Sequence, residues 1–281
     1  MAEREYVQDT FESYLGKKTH ISASDIKNFL HSPRFYFYKK YEEKKEDTDR
    51  HFIIGTALHS KILTPDIFWE QHFVGEKYDL RTNIGKEKHS AQQNENQGKV
   101  ILFPDEFKDI QAMSESAMQN KTFLKLIENS YKELSIYSQD ETTGLKIKIR
   151  PDVFCKDTST MIDLKSSAHG GARKFKYSVY DFGYDISAAF YCNFGNKKNY
   201  LFGVFEKEKP NQFSLYQLSD SIIARAAERY RTALDLLKFC YTHNHWPEYN
   251  TFEVMKRMYS IDAMGNYFEQ LENENLIITI E

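Results

Sequence analysis

At 281 residues, 41% hydrophobic and 28% charged, the chain has apolar material for a sizeable core, which excludes a disordered class. A formal net charge of −3 excludes a global positive field, so any nucleic-acid surface has to be a local patch. The three cysteines, Cys155, Cys192 and Cys240, are dispersed with no CxxC pair, which argues against structural zinc, an iron–sulfur cluster and a disulfide framework. The first residues are charged and no apolar run approaches membrane-spanning length, so a soluble, cytoplasmic protein with no membrane partner is expected.

No repeat, low-complexity tract or Pro/Gly-rich linker divides the chain, so 1–281 reads as a single domain, mainly helical over 1–130 and sheet-bearing over 131–281. "SASDIKNFLHSP" predicts a helix capped by Ser22 or Ser24 and stopped by Pro33, with Ile26, Phe29 and Leu30 on one face. "FIIGTALHSKIL" reads as a short buried helix ending before Pro65. The polar segment Arg81 to Lys99 reads as a surface loop or an exposed helix. "FPDEFKDIQAMSESAMQN" and "KTFLKLIENS" read as a helix pair. Three consecutive strands follow, "ELSIYSQ", "GLKIKIRPDVF" and "TMIDLKSS", the first two joined by a hairpin turn at Asp140 to Gly144. "YDISAAFYCNF" is helical, and "NYLFGVFEK" and "NQFSLYQL" form a hairpin around Lys209-Pro210-Asn211. A long helix closes the pattern, with Ile222, Ala226, Tyr230, Ala233, Leu237 and Cys240 on its inner stripe. This order predicts an α/β fold with a mixed sheet flanked by helices.

The chemistry sits in the strands. Side chains two apart on a strand share a face, so Lys146, Lys148, Arg150 and Asp152 are expected together, opposite Ile147, Ile149 and Pro151. By the same parity Met161, Asp163, Lys165 and Ser167 lie opposite Ile162 and Leu164. If the two strands are antiparallel neighbours, Asp152 and Asp163 meet across the ladder. Two close carboxylates repel unless a cation sits between them, and two acids with a backbone carbonyl suit Mg²⁺ or Mn²⁺. Such an ion polarises a phosphate and acidifies water, while a neighbouring lysine, its own pKa lowered by burial and the metal, orients the attacking water. A lone D-x-K on a strand is commonly an ordinary ion pair; the preceding Arg-Pro-Asp, the interval between the acids and the alternation bring metal-dependent phosphodiester chemistry level with that reading, and the residues alone leave both open.

These residues resemble the core of the PD-(D/E)XK nuclease superfamily, and more narrowly the exonuclease VIII (RecE-type) exonucleases of phages and prophages. The likeness runs in order through "ISASDIKNFLHSPRFYFYKKY", "IIGTALHSKILTPDIF", "DLRTNIGKE", "KELSIYSQDETTGLKIKIRPD", "MIDLKSS" and "YDISAAFY". It implies Asp152 and Asp163 as metal acids, Lys165 as the catalytic lysine, His59 as a metal-ligating histidine from the helical part and Leu164 as a carbonyl ligand. Glu133 matches an acidic position that supports a metal through water, and Tyr191 a tyrosine near the centre. One departure stands out: Ser187 replaces a family glutamine that holds the site or a phosphate.

The resemblance implies one or two Mg²⁺ (or Mn²⁺) ions and digestion of linear double-stranded DNA from its ends, 5′ to 3′, for recombination. It also implies a single-strand-annealing recombinase as partner and a homo-oligomeric ring. Lys165 to Tyr180 contains four Lys/Arg and no acid, so Arg173, Lys174 and Lys176, with Lys148 and Arg150, are expected to form a basic track for DNA. Ser32, Arg34, Arg81 and Lys86 are weaker phosphate contacts. The rival readings are a RecB/Cas4-like nuclease of the same fold, which the three dispersed cysteines disfavour, a site-specific restriction endonuclease, and a catalytically weakened DNA-binding or inhibitory protein on a nuclease scaffold.

Overall fold

The computed structural model describes residues 3–43 and 49–273. Its strands are β1 (Glu5–Val7), β2 (His72–Val74), β3 (Val100–Leu102), β4 (Ser130–Lys132), β5 (Ser135–Gln139), β6 (Lys146–Ile149), β7 (Val153–Cys155), β8 (Thr160–Ser167), β9 (Asn199–Glu206) and β10 (Phe213–Gln217). The central sheet has the order β10-β9-β8-β7-β4; β8 and β9 are parallel and the other pairs antiparallel. A second, antiparallel sheet has the order β1-β5-β6, and β2 and β3 form a short parallel pair.

Parallel pairing of β8 with β9 requires a crossover, which the helices Ala172–Asp181 and Tyr184–Gly195 supply. Strand parity then decides the layers. On β8, Ile162 and Leu164 enter one core with Ala57, Leu58, Ile62, Ile110, Met113 and Phe123 from the N-terminal helices. Met161 faces the other core, built from Ile26, Phe29, Ile186, Phe190 and Leu237. The sheet is therefore covered on both faces, and the mixed α/β architecture expected from the element order is the one found.

The helices begin where the capping residues say they should. Ser22 caps Ala23–His31 in a reciprocal arrangement, its hydroxyl accepting from the Asp25 amide while Asp25 Oδ2 accepts from the Ser22 amide. Arg50–Leu63 starts after Asp49, and the polar segment after Arg81 is an exposed helix, Asn83–Glu95, capped by Thr82. The Asp140 to Gly144 turn is closed by Thr143, whose amide and hydroxyl both donate to Asp140 Oδ2, with Gly144 at φ 70° where a side chain would be strained. The long helix is Asp220–His243, with Ala226, Tyr230, Ala233, Leu237 and Cys240 buried as its stripe predicts and Ile222 only partly so.

One expected element is two. "GLKIKIRPDVF" breaks at Arg150-Pro151-Asp152, β6 pairing with β5 and β7 with β8 and β4. Pro151 has no amide hydrogen for a ladder, so it stands where the chain leaves one sheet for the other. β1, the β2–β3 pair, β4 and the helix Tyr249–Ser260 are further elements not expected from the sequence.

Burial and the charges of Lys17, Lys146, Lys148 and Lys40 push the His20 imidazole down to about 4. The unfolded chain therefore takes up this proton first, and the stability held above pH 6.5 is lost as pH falls towards 4. We expect His20→Gln to flatten the fall in melting temperature between pH 7 and pH 4.5; an unchanged slope would contradict this account.

A candidate acidic centre on the edge of β8

The site follows from unequal strand lengths. β8 runs to Ser167, but its pairing with β7 ends at Val153↔Ile162, so the Leu164 backbone has no strand partner on that side. A buried amide and carbonyl left this way need substitutes. Asp152 and His59 provide them: the Leu164 amide donates to Asp152 Oδ2 at 2.6 Å, and Leu164 O lies 3.1 Å from His59 Nε2. Extending the register by one residue places Asp152 opposite Asp163 on the same face, as strand parity anticipated. Lys165 Nζ, one pleat further, pairs with Asp163 Oδ2 at 2.5 Å. The structure thus brings together Asp152, Asp163, Leu164, Lys165 and His59, the last from the helix Arg50–Leu63.

The electrostatics are those of acids short of positive charge. Burial pushes the Asp163 carboxyl up and Asp152 adds to this, so its pKa lies above the ordinary value although Lys165 opposes the shift. Asp152 is also penalised by burial, but His59, Lys165 and the Leu164 amide hold it below the usual carboxylate value. Burial disfavours the Lys165 ammonium, yet Asp163 and Asp152 outweigh it and raise its pKa. With its two carboxylate neighbours and no ion between them, Lys165 is therefore a charged donor.

Among the described residues, no group of three His, Cys, Asp or Glu side chains already stands at metal-holding distance. The donor set nevertheless fits a divalent ion. Asp163 Oδ2 is buried with the Lys165 ammonium as its one partner among the described residues. His59 Nδ1 faces Asp152 Oδ1 across 3.5 Å while Nε2 is turned to a carbonyl, so a cation or proton is needed in that gap. Two carboxylates, an imidazole and a carbonyl are the ligands a hard or borderline divalent ion takes.

The other expected residues divide. Tyr191 is close by, its hydroxyl 3.4 Å from both Arg150 N and Arg150 O, where it steadies the segment carrying Asp152. Glu133 lies behind Asp152: its amide donates to Asp152 O, its backbone is left-handed (φ 50°), and its carboxylate points to Arg150 at 3.7 Å. Ser187 reaches only Gly183 O, at 3.5 Å. Arg173, Lys174 and Lys176 are exposed on the helix Ala172–Asp181, as a phosphate-contacting patch requires. Exposed Tyr177, Tyr180 and Phe182 accompany them and were not foreseen.

The basic track along β6 is not there. Lys148 is buried and donates to Tyr14 O at 2.7 Å. The Arg150 side chain is only 8% exposed, pairing with Asp9 at 2.8 Å and donating to Ser135 Oγ. Alternation predicts a shared face but not what covers it, and here the N-terminal segment covers it. Ser32 is likewise a buried helix cap, Arg34 is clamped by Glu42, and Arg81 by Asp79. Lys86 is exposed on the Asn83–Glu95 helix, in the open. An open cavity of about 530 Å³ lined by Arg50, His89, Gln93, Lys99 and Phe103 lies elsewhere, and none of the acidic-centre residues lines it.

Two acids on a sheet edge, with a lysine two residues after the second, define a centre of PD-(D/E)XK type. The chain belongs to the family described as the PDDEXK-like domain of unknown function (DUF3799), matched over residues 22–257. No curated protein sequence matches it. Among solved structures it is similar to a protein designated an exonuclease from Eubacterium rectale, with a TM-score of 0.58 and 17% identity over 85% of this chain and 88% of that one. At that identity the likeness shows the fold alone. A phage-related exonuclease from Haemophilus somnus (TM-score 0.34, 13% identity, 80% of this chain and 96% of that one) superposes too loosely to carry an argument. So does an alkaline exonuclease from Laribacter hongkongensis (TM-score 0.32, 10% identity, 82% and 93%).

Two outcomes are expected. Saturating Mn²⁺ should raise the melting temperature of the wild type by on the order of 5 °C. Asp163→Asn should lose most of that shift, and equal shifts would remove Asp163 from the ligand set. Arg150→Met, which strands Asp9, should lower stability in chemical denaturation by about 3 kcal/mol. Its salt dependence of DNA binding should be unchanged; a shallower salt slope would return Arg150 to the DNA surface.

Proposed function

We propose that this chain is a divalent-metal-dependent exodeoxyribonuclease that degrades linear double-stranded DNA from its ends, with 5′ to 3′ polarity, in the manner of the exonuclease VIII (RecE-type) enzymes. The observation that carries this reading is the convergence of His59, Asp152, Asp163, Leu164 and Lys165 at the open edge of β8. The designation of the Eubacterium protein as an exonuclease agrees with it.

Asp152, Asp163, His59 and the Leu164 carbonyl would hold Mg²⁺ or Mn²⁺, the carbonyl having a lone pair beyond the one His59 uses. Such an ion supplies Lewis-acid polarisation of a phosphate and acidifies water. The chain's own groups do the rest. Lys165, charged and held in place by Asp163, offers hydrogen-bond donors to water or to a non-bridging phosphate oxygen as negative charge builds there. Tyr191 and Pro151 keep Asp152 facing β8 rather than continuing a strand away from it. Arg173, Lys174 and Lys176 neutralise backbone phosphates along the approach, and Tyr177 and Tyr180 offer exposed rings for bases of a frayed end. Recombination, a single-strand-annealing partner and a homo-oligomeric ring belong to the same proposal.

The test is degradation with Mg²⁺ or Mn²⁺ of linear duplex against covalently closed circular duplex. Wild type should consume only the linear form, and Lys165→Ala should lose at least about a hundredfold in rate while still binding DNA. Cleavage of the circle would point to an endonuclease, binding with no cleavage by wild type to a weakened scaffold protein, and equal rates in Lys165→Ala would sink the assigned role.

A further inference from the structure

Lys27 sits in the middle of the helix Ala23–His31, on the core side rather than the solvent side, and is only partly exposed. Its aliphatic stem lies against Gly183, so closely that a Cβ there would come within 2.9 Å of Lys27 Cδ. Gly183, at φ 60°, opens the Tyr184–Gly195 helix and gives the stem room to reach past it. The ammonium then lies 5.9 Å from the centre of the Tyr184 ring, while the Lys165 ammonium lies 5.2 Å from the centre of the same ring.

What sets Lys27 apart is the absence of a counter-charge. Among the described residues its Nζ has no carboxylate partner and no hydrogen-bond acceptor, whereas nearby lysines are satisfied: Lys40 by Asp25, Lys148 by Tyr14 O, Lys165 by Asp163. Asp185, on the helix that Gly183 opens, is committed to Arg229 and to the Ile186 amide. Burial lowers the Lys27 pKa, and the charge of Lys165 lowers it further, with Asp163 and Asp185 opposing. A partly buried ammonium with no acceptor of its own, in the field of a second ammonium, favours an anion beside it.

We infer that Lys27 and Lys165 form a two-cation seat around Tyr184 for a phosphate of the nucleic-acid strand entering the acidic centre. Lys27 is thus a substrate-binding residue contributed by the N-terminal helical part, outside the Asp–Asp–Lys constellation. The inference rests on the nuclease reading and deepens it by naming a phosphate contact that the motif does not contain. Lys165 comes from β8 and Lys27 from the helix Ala23–His31, their ammonium groups 5.2 and 5.9 Å from the centre of the Tyr184 ring.

The experiment compares wild type, Lys27→Ala and Lys27→Arg in three measurements. These are melting temperature, cleavage of linear duplex with Mn²⁺, and equilibrium binding of the same duplex in chelator across a salt series. Lys27→Ala should lose at least about tenfold in kcat/KM. Its salt slope should fall by about one, the signature of one lost phosphate contact. Its melting temperature should be equal to wild type or higher, because an unpaired cation has gone and alanine favours a helix. Lys27→Arg should recover most of the activity. Wild-type cleavage and binding by Lys27→Ala would overturn the inference, as would a lowered melting temperature without rescue by arginine. A wild type that neither binds nor cleaves DNA would overturn the nuclease reading itself.

Discussion

Because β8 outruns β7, the Leu164 peptide on the edge of a covered sheet has to be satisfied by side chains, and the position of nearly every other part of the site follows from that requirement. Asp152 reaches the amide because Pro151 ends the ladder immediately before it. His59 reaches the carbonyl because the helix Arg50–Leu63 packs Ala57, Leu58 and Ile62 against the same face that takes Leu164. A conventional ladder at this point would have buried the edge and left no room for two acids. The polar centre is thus the way the fold completes the hydrogen bonding of its own sheet.

That arrangement leaves the centre electrostatically unbalanced. Two partly buried carboxylates are served by one lysine and one histidine, and they split, one held below and one pushed above the ordinary carboxylate value. In a low-dielectric setting such a pair responds strongly to an added positive charge, because both desolvation and mutual repulsion are relieved at once. Lys165 is part of that balance through its ion pair with Asp163.

Much of this was legible in the chain. Period-two alternation placed Asp152, Asp163 and Lys165 on one face, and the turn and capping residues located the hairpins and most helices. His59 was legible only through family resemblance, since a histidine in "GTALHS" has no local mark of its partner a hundred residues away. The alternation of "KIKIRPD" misled, because a lysine that faces solvent and one that donates to a helix carbonyl give the same pattern. Nothing local distinguishes Lys148, which Tyr14 O satisfies, from Lys27, which has no partner among the described residues. The difference is made by which element packs over each, and that is tertiary information. Asp9 was missed for the same reason: its partners Ser135, Tyr137 and Arg150 are assembled from distant segments.

These separations have a kinetic consequence. The contact of His59 with Leu164 spans 105 residues and that of Arg150 with Asp9 spans 141. Contacts of that reach form late and slowly, since the entropy of closing long loops is lost before any enthalpy is returned. β7 and β8 set Asp152 opposite Asp163 by local antiparallel pairing, but His59 has to arrive from a distant helix, and β9, which begins at Asn199, closes the other side of β8 only once the crossover helices have been made. The centre is therefore a property of the finished topology. Helical fragments from the first half of the chain would carry His59 and Lys27 but no acidic centre for either to complete.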